Sequence, residues 1–83
     1  MRFDDLVEKF LEKLRYSGAS GQTIRAYQFH LSKLDRFLED RNLAIENLDS
    51  EKVKEFRNYL VQKGLSVKSI NAILSACKSF FDF

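Results

Sequence analysis

Two serines, Ser20 and Ser66, open the stretches of this chain best equipped to hold a ligand. Behind Ser20 come Gln22, Thr23 and Arg25; behind Ser66 come Lys68, Ser69 and Asn71. If each serine caps a helix, its hydroxyl accepts a backbone N–H two or three residues on. The other free N–H groups and the positive end of the helix dipole then favour an anion such as a phosphate, and the amide and hydroxyl side chains behind them can reach base edges. The plain alternative is a pair of ordinary caps on a solvated face, and the caps alone do not choose between the two. Arg25, Phe29, Lys33 and Arg36 follow at three- and four-residue steps along one outer stripe. Phe29 is there either a wedge against DNA or a contact with another protein surface.

Groups for covalent or acid–base chemistry are sparse. His30 has no cysteine or second histidine at metal-ligand spacing, so it reads as a partly exposed surface side chain rather than a ligand or general base. The single cysteine, Cys77, cannot close an intramolecular disulfide and falls on an apolar stripe, which predicts a buried thiol and a reducing, cytoplasmic setting. Asp4 with Asp5 and Glu39 with Asp40 read as helix-end acids, the first pair suiting the positive end of a dipole. Glycine-rich phosphate loops and nucleophile elbows are missing. The expectation is a binding module with no cofactor, no metal and no catalytic residues of its own.

Four helices must position these groups. Asp4 or Asp5 is expected to cap the first, with Glu8 returning a capping-box bond to Asp5 and Leu6, Val7, Phe10, Leu11 and Leu14 forming a buried stripe up to Tyr16. Ser17-Gly18-Ala19-Ser20-Gly21 breaks it. The second runs from about Gly21 to Asp40, with Ile24, Tyr27, Leu31, Leu34 and Leu38 facing inward. Asn42 to Leu48 is a connection that tucks Leu43, Ile45 and Leu48 against the core. Asp49 caps a third helix over roughly residues 50–63, which buries Val53, Phe56 and Leu60, joined by Val61, and ends at Gly64. In the fourth, Ile70, Ile73, Leu74, Cys77, Phe80 and Phe81 share one side, while Lys68, Ser69, Asn71, Ala72, Ser75 and Lys78 lie mostly toward the other. No stretch alternates with period two, so the fold class is all-α, a four-helix orthogonal bundle.

Length and charge agree with one small binding domain. Eighty-three residues, 45% of them hydrophobic and none proline, suffice for one core spanning 1–83. The net charge of +2 hides an uneven distribution. Residues 1–12 and 37–51 are acidic, whereas 13–36 and 52–81 are basic, the last segment setting Lys52, Lys54, Arg57, Lys63, Lys68 and Lys78 against Glu55 alone. If the two basic segments fold side by side, one face attracts a polyanion. No apolar run approaches the ~20 residues of a membrane span and no signal peptide is visible, which predicts a soluble intracellular protein.

Leu60, Gly64, Leu65, Ser66 and Ile70 carry the spacing of a helix-turn-helix, except that Leu60 stands where a small residue is usual. A broader resemblance covers essentially the whole chain. The opening helix Leu6–Leu14, the pattern Ser20-x-x-Thr23-x-x-x-Tyr27-x-x-x-Leu31-x-x-Leu34-x-x-Phe37 and the ending Leu65-Ser66 through Phe80-Phe81 together resemble the N-terminal core-binding, SAM-like domain of tyrosine recombinases of the phage integrase and Xer type.

That resemblance implies a half-clamp. In the family this domain packs on one side of a recombination half-site in double-stranded DNA and a C-terminal catalytic domain packs on the other, the full-length protein oligomerising on DNA. The second and fourth helices face the major groove. On this chain Gln22, Thr23 and Arg25, with Phe29 and Lys33 along the same helix, would meet DNA, as would Ser66, Lys68, Ser69, Asn71 and Ala72. Where relatives often carry arginine this chain has Ala72 and Lys78, the latter completing the implied DNA-binding set. The catalytic arginines, histidine, lysine and tyrosine of the family belong to the C-terminal domain, so 1–83 is expected to be excised from a longer enzyme and unable to cut DNA itself. The rival expectations are a SAM-like protein-interaction or oligomerisation module, docking through exposed Phe29, Phe37 and the Phe80–Phe83 end, and a helix-turn-helix transcriptional regulator.

Overall fold

Three of the helix starts are written in single side chains. In the computed structural model, which describes residues 2–83, the helices are α1 (Phe3–Tyr16), α2 (Gly21–Arg41), α3 (Ser50–Gln62) and α4 (Val67–Phe81), with a 3-10 turn at Ile45–Asn47. Ser20 accepts from the Thr23 N–H at 3.1 Å, Asp49 from the Lys52 N–H at 2.8 Å and Ser66 from the Ser69 N–H at 3.2 Å. The start of α1 departs from expectation. Its cap is Arg2, whose side chain makes no capping bond, and Asp4 and Asp5 lie inside the first turn, where they favour the dipole without capping it.

Helix ends repeat one device. Gly64, at φ +84°, lets the Leu65 N–H reach the Leu60 carbonyl at 3.4 Å while its own N–H reaches Val61 at 3.0 Å. This left-handed closure satisfies carbonyls that a helix end leaves without partners. Asn42, at φ 53°, closes α2 in the same way through Leu43 to Leu38.

The four helices enclose one all-α core, and no strand occurs among the described residues. Leu11, Leu31, Leu34, Phe37, Phe56, Leu60 and Ile73 are fully buried. Two aromatic groups fasten the bundle. Phe10 of α1 meets Tyr27 at 5.2 Å and Phe80 at 5.5 Å, both edge-on, and Phe37 of α2 meets Phe56 at 5.1 Å and Tyr59 at 5.3 Å. Tyr59 also ties α3 to α2 by donating its hydroxyl to Asp40 Oδ2 at 2.8 Å.

Several apolar assignments change. Phe37 and Phe80 are buried, which removes them from any exposed docking patch. Val61 and Phe81, expected inside, are exposed, and Tyr59 takes the inward place on α3. α2 packs against α1, α3 and α4, so its buried arc is wide enough to include Phe37. α3 packs chiefly against α2 and α4, and the edge carrying Val61 lies in water.

Candidate nucleic-acid interface

The starts of α2 and α4 are both solvated. Gln22, Thr23 and Arg25 are exposed behind the Ser20 cap, as are Lys68, Ser69, Asn71 and Ala72 behind the Ser66 cap. The hydroxyls of Thr23 and Ser69 are engaged by those caps, at 3.0 and 3.1 Å. A Cβ on Gly21 would lie 3.5 Å from Arg25 Nη1, so this guanidinium folds back over the first turn of α2 and adds its charge to the positive helix end. Neither first turn contains an acid, and α4 contains none along its length.

Further along α2, Phe29 is 58% exposed, with Lys33 Nζ over its ring at 4.9 Å and the His30 ring edge-on at 5.7 Å. Gln22, Ala26, Phe29 and Lys33 recur at four-, three- and four-residue steps, as do Lys68, Ala72, Ser75 and Ser79 on α4, so each set forms a stripe on its own helix. Beside these stripes the helices bound a cleft of about 190 Å³ lined by Tyr27 and His30 from α2 and Ala72, Ser75, Ala76 and Ser79 from α4. Small residues on the α4 wall leave the cleft open. His30 is partly exposed, as expected, and its Nδ1 is enclosed with no hydrogen-bond partner among the described residues.

Lys78 does not share this cleft. It lines a separate apolar cavity of about 300 Å³ with Leu34, Leu48, Val53, Phe56, Leu74, Cys77 and Phe81. Of the cleft residues, sequence reasoning placed only Ala72 in the DNA-binding set, left out His30, Ser75, Ala76 and Ser79, and read Tyr27 as core. Ser79 could have been found by extending the stripe from Lys68 through Ala72 and Ser75, whereas the enclosure of His30 depends on α4.

Acidic groups gather elsewhere. Asp4, Asp35, Glu39 and Glu46 line a cavity of about 380 Å³ between the start of α1 and the end of α2, with Arg2 at its edge. Burial, then the charges of Glu39 and Asp4, raises the Asp35 carboxyl above its ordinary range. Burial also pushes the Cys77 thiol up to about 12, so it is not a nucleophile at neutral pH. An anion is therefore disfavoured at the acidic cavity and favoured at the acid-free starts of α2 and α4.

Comparison with known proteins agrees with this architecture. Residues 7–83 match the family described as phage integrase, N-terminal SAM-like domain. The chain is 32% identical over 82 residues to tyrosine recombinase XerD of Staphylococcus saprophyticus, a match covering 96% of this chain and 28% of that protein. It is 31% identical over 80 residues to tyrosine recombinase XerD of Staphylococcus epidermidis, covering 94% and 27%. Transposase A from transposon Tn554 of Staphylococcus aureus is 29% identical over 90 residues, covering 93% of this chain and 25% of the transposase. The chain thus spans little more than a quarter of the length of these relatives. No solved structure gives a significant match. With four helices in the expected order and a family match over nearly every residue, this chain belongs to the phage integrase N-terminal SAM-like domains.

Proposed function

We propose that this domain binds double-stranded DNA as the N-terminal half of a clamp, and that a catalytic domain of the same tyrosine recombinase completes the clamp on the other side of a recombination half-site. One observation carries the reading: two capped, acid-free helix starts belong to helices that bound a common cleft, and both helices present cations along their exposed faces. Gln22, Thr23, Arg25, Phe29 and Lys33 form the contribution of α2. Ser66, Lys68, Ser69, Asn71 and Ala72 form that of α4. Lys78, two turns beyond Asn71, adds a further cation to the contribution of α4. Affinity comes from phosphates, and site preference from the amide and hydroxyl groups that reach base edges. Cleavage and rejoining belong to the rest of the enzyme, as does assembly of several copies on DNA.

Titration of a labelled half-site duplex at two salt concentrations tests this. Binding should weaken by about 0.9 log units per log unit of salt for each phosphate neutralised. Arg25→Ala with Lys68→Ala should lower affinity and flatten that slope by about one for each lost contact. Salt-independent binding, or a double variant that binds like the parent, contradicts the assignment.

A second reading, protein docking, rests on Phe81, which is 44% exposed beside the apolar cavity between α3 and α4. Self-association that rises with protein concentration and is indifferent to DNA would favour it.

A further inference from the structure

We propose that the exposed face of α4 selects A·T base pairs in the half-site, with Asn71 pairing to an adenine edge and the Ala72 methyl meeting the methyl group of a thymine. The inference rests on the reading of α2 and α4 as the DNA-binding face and adds which bases that face prefers. Most of the polar side chains there are already engaged by the fold. The hydroxyls of Ser20 and Thr23 bond each other at 3.0 Å, and those of Ser66 and Ser69 do so at 3.1 Å. The Arg25 guanidinium lies back over the start of α2, and the Lys33 ammonium sits over the Phe29 ring. Asn71 and Ala72, in the second turn of α4, are exposed, and the Asn71 carboxamide has no partner among the described residues.

The hydrogen-bonding groups left free select the base. A carboxamide sets a donor beside an acceptor, which matches the N6 donor and N7 acceptor of adenine, and thymine is the base that carries a methyl group into the major groove. A G·C pair asks for different chemistry: paired donors from arginine or lysine on guanine, or a carboxylate that accepts from the cytosine amine. α4 contains no acid, so it offers cytosine no carboxylate. Its cations are Lys68 and Lys78. Lys68 lies in the first turn, where the free N–H groups of the helix favour a phosphate, and Lys78 lies two turns beyond Asn71. From Ala72 the outer stripe continues through Ser75 and Ser79, so no bulky side chain on it holds this part of the helix away from a base edge.

Selection of a preferred duplex from a pool with a randomised interior, followed by titration of single-position changes in it at fixed salt, tests this. The selected site should hold an A·T pair whose replacement by G·C weakens binding of the parent chain by about 5- to 150-fold. An adenine analogue with carbon in place of N7 at that position should weaken it too, as should uracil for thymine at the neighbouring pair, which removes only the methyl group. Asn71→Ala should bind the A·T, G·C and analogue duplexes alike at the position it no longer reads, whereas Lys68→Ala should weaken all of them by the same factor. If the selection returns G·C or no preference, if Asn71→Ala keeps the discrimination of the parent, or if Lys68→Ala is the change that abolishes it, the base assignment is wrong, and binding that stays salt-dependent leaves the DNA-binding reading standing. If the parent chain binds no duplex even at low salt, both fall together.

Discussion

Asp35 illustrates how one carboxylate can work against the fold that contains it. Its pKa is raised by burial first and by Glu39 and Asp4 next, so the folded chain holds this proton more tightly than the unfolded chain does. Stability therefore falls as pH rises through the window between the unfolded and folded values, and above that window the charged form penalises the native state. Asp35→Asn should raise Tm at pH 7 by about 1–2 °C, the order expected for ~0.3 kcal/mol in a domain of this size. The gain should vanish as the solution is acidified below the ordinary carboxylate range. Thermal denaturation followed by circular dichroism at both pH values checks this, and a lower Tm at pH 7 would contradict it. Tyr59 is the contrasting case. Burial, followed by its bond to Asp40, raises the phenol pKa, which keeps the hydroxyl protonated and able to donate.

At the level of the element, capping chemistry separates α1 from the other helices. Ser20 and Ser66 each satisfy an otherwise orphaned N–H, whereas Asp5 acts only through the dipole. Ser20→Ala and Ser66→Ala should each cost about 1 kcal/mol in urea denaturation. Asp5→Asn should cost only ~0.3 kcal/mol, a loss that shrinks further in high salt because it is electrostatic. Equal losses at all three positions would mean that the α1 start is capped after all. The difference has a local origin, since the chain enters α1 at Arg2, one residue before Phe3 and two before the first acid.

Across the whole molecule, two phenylalanines on one helix should behave oppositely. Phe37 is fully buried against Phe56 and Tyr59, and Phe37→Ala should cost about 3–5 kcal/mol, a large share of the roughly 5–15 kcal/mol that holds a small domain together. Phe29 is largely exposed, and Phe29→Ala should leave stability within about 0.5 kcal/mol. If the DNA reading is right, the same change weakens duplex binding. Chemical denaturation of both variants, with a duplex titration of Phe29→Ala, separates a core role from a contact role.

Much of this architecture was legible in one dimension because it is local. A serine or aspartate three residues before an N–H it can satisfy, and a glycine that accepts a positive φ, act over a single turn, so Ser20, Asp49, Ser66 and Gly64 marked their boundaries without reference to the rest of the chain. Periodicity likewise placed Leu11, Leu31, Phe56 and Ile73 on inward faces. What periodicity cannot supply is how wide a sector of each helix its neighbours cover. The sector that α2 buries reaches Phe37, whereas those of α3 and α4 stop short of Val61 and Phe81. The same limit applies to the candidate site. Sequence identified two cap-and-cation starts, but packing decided that Ala72 would share a cleft with His30 while Lys78, six residues on, lines an apolar cavity on another side of the same helix. Spacing sets a side chain's angle about its own helix axis, and only the placement of the other helices determines what that angle meets.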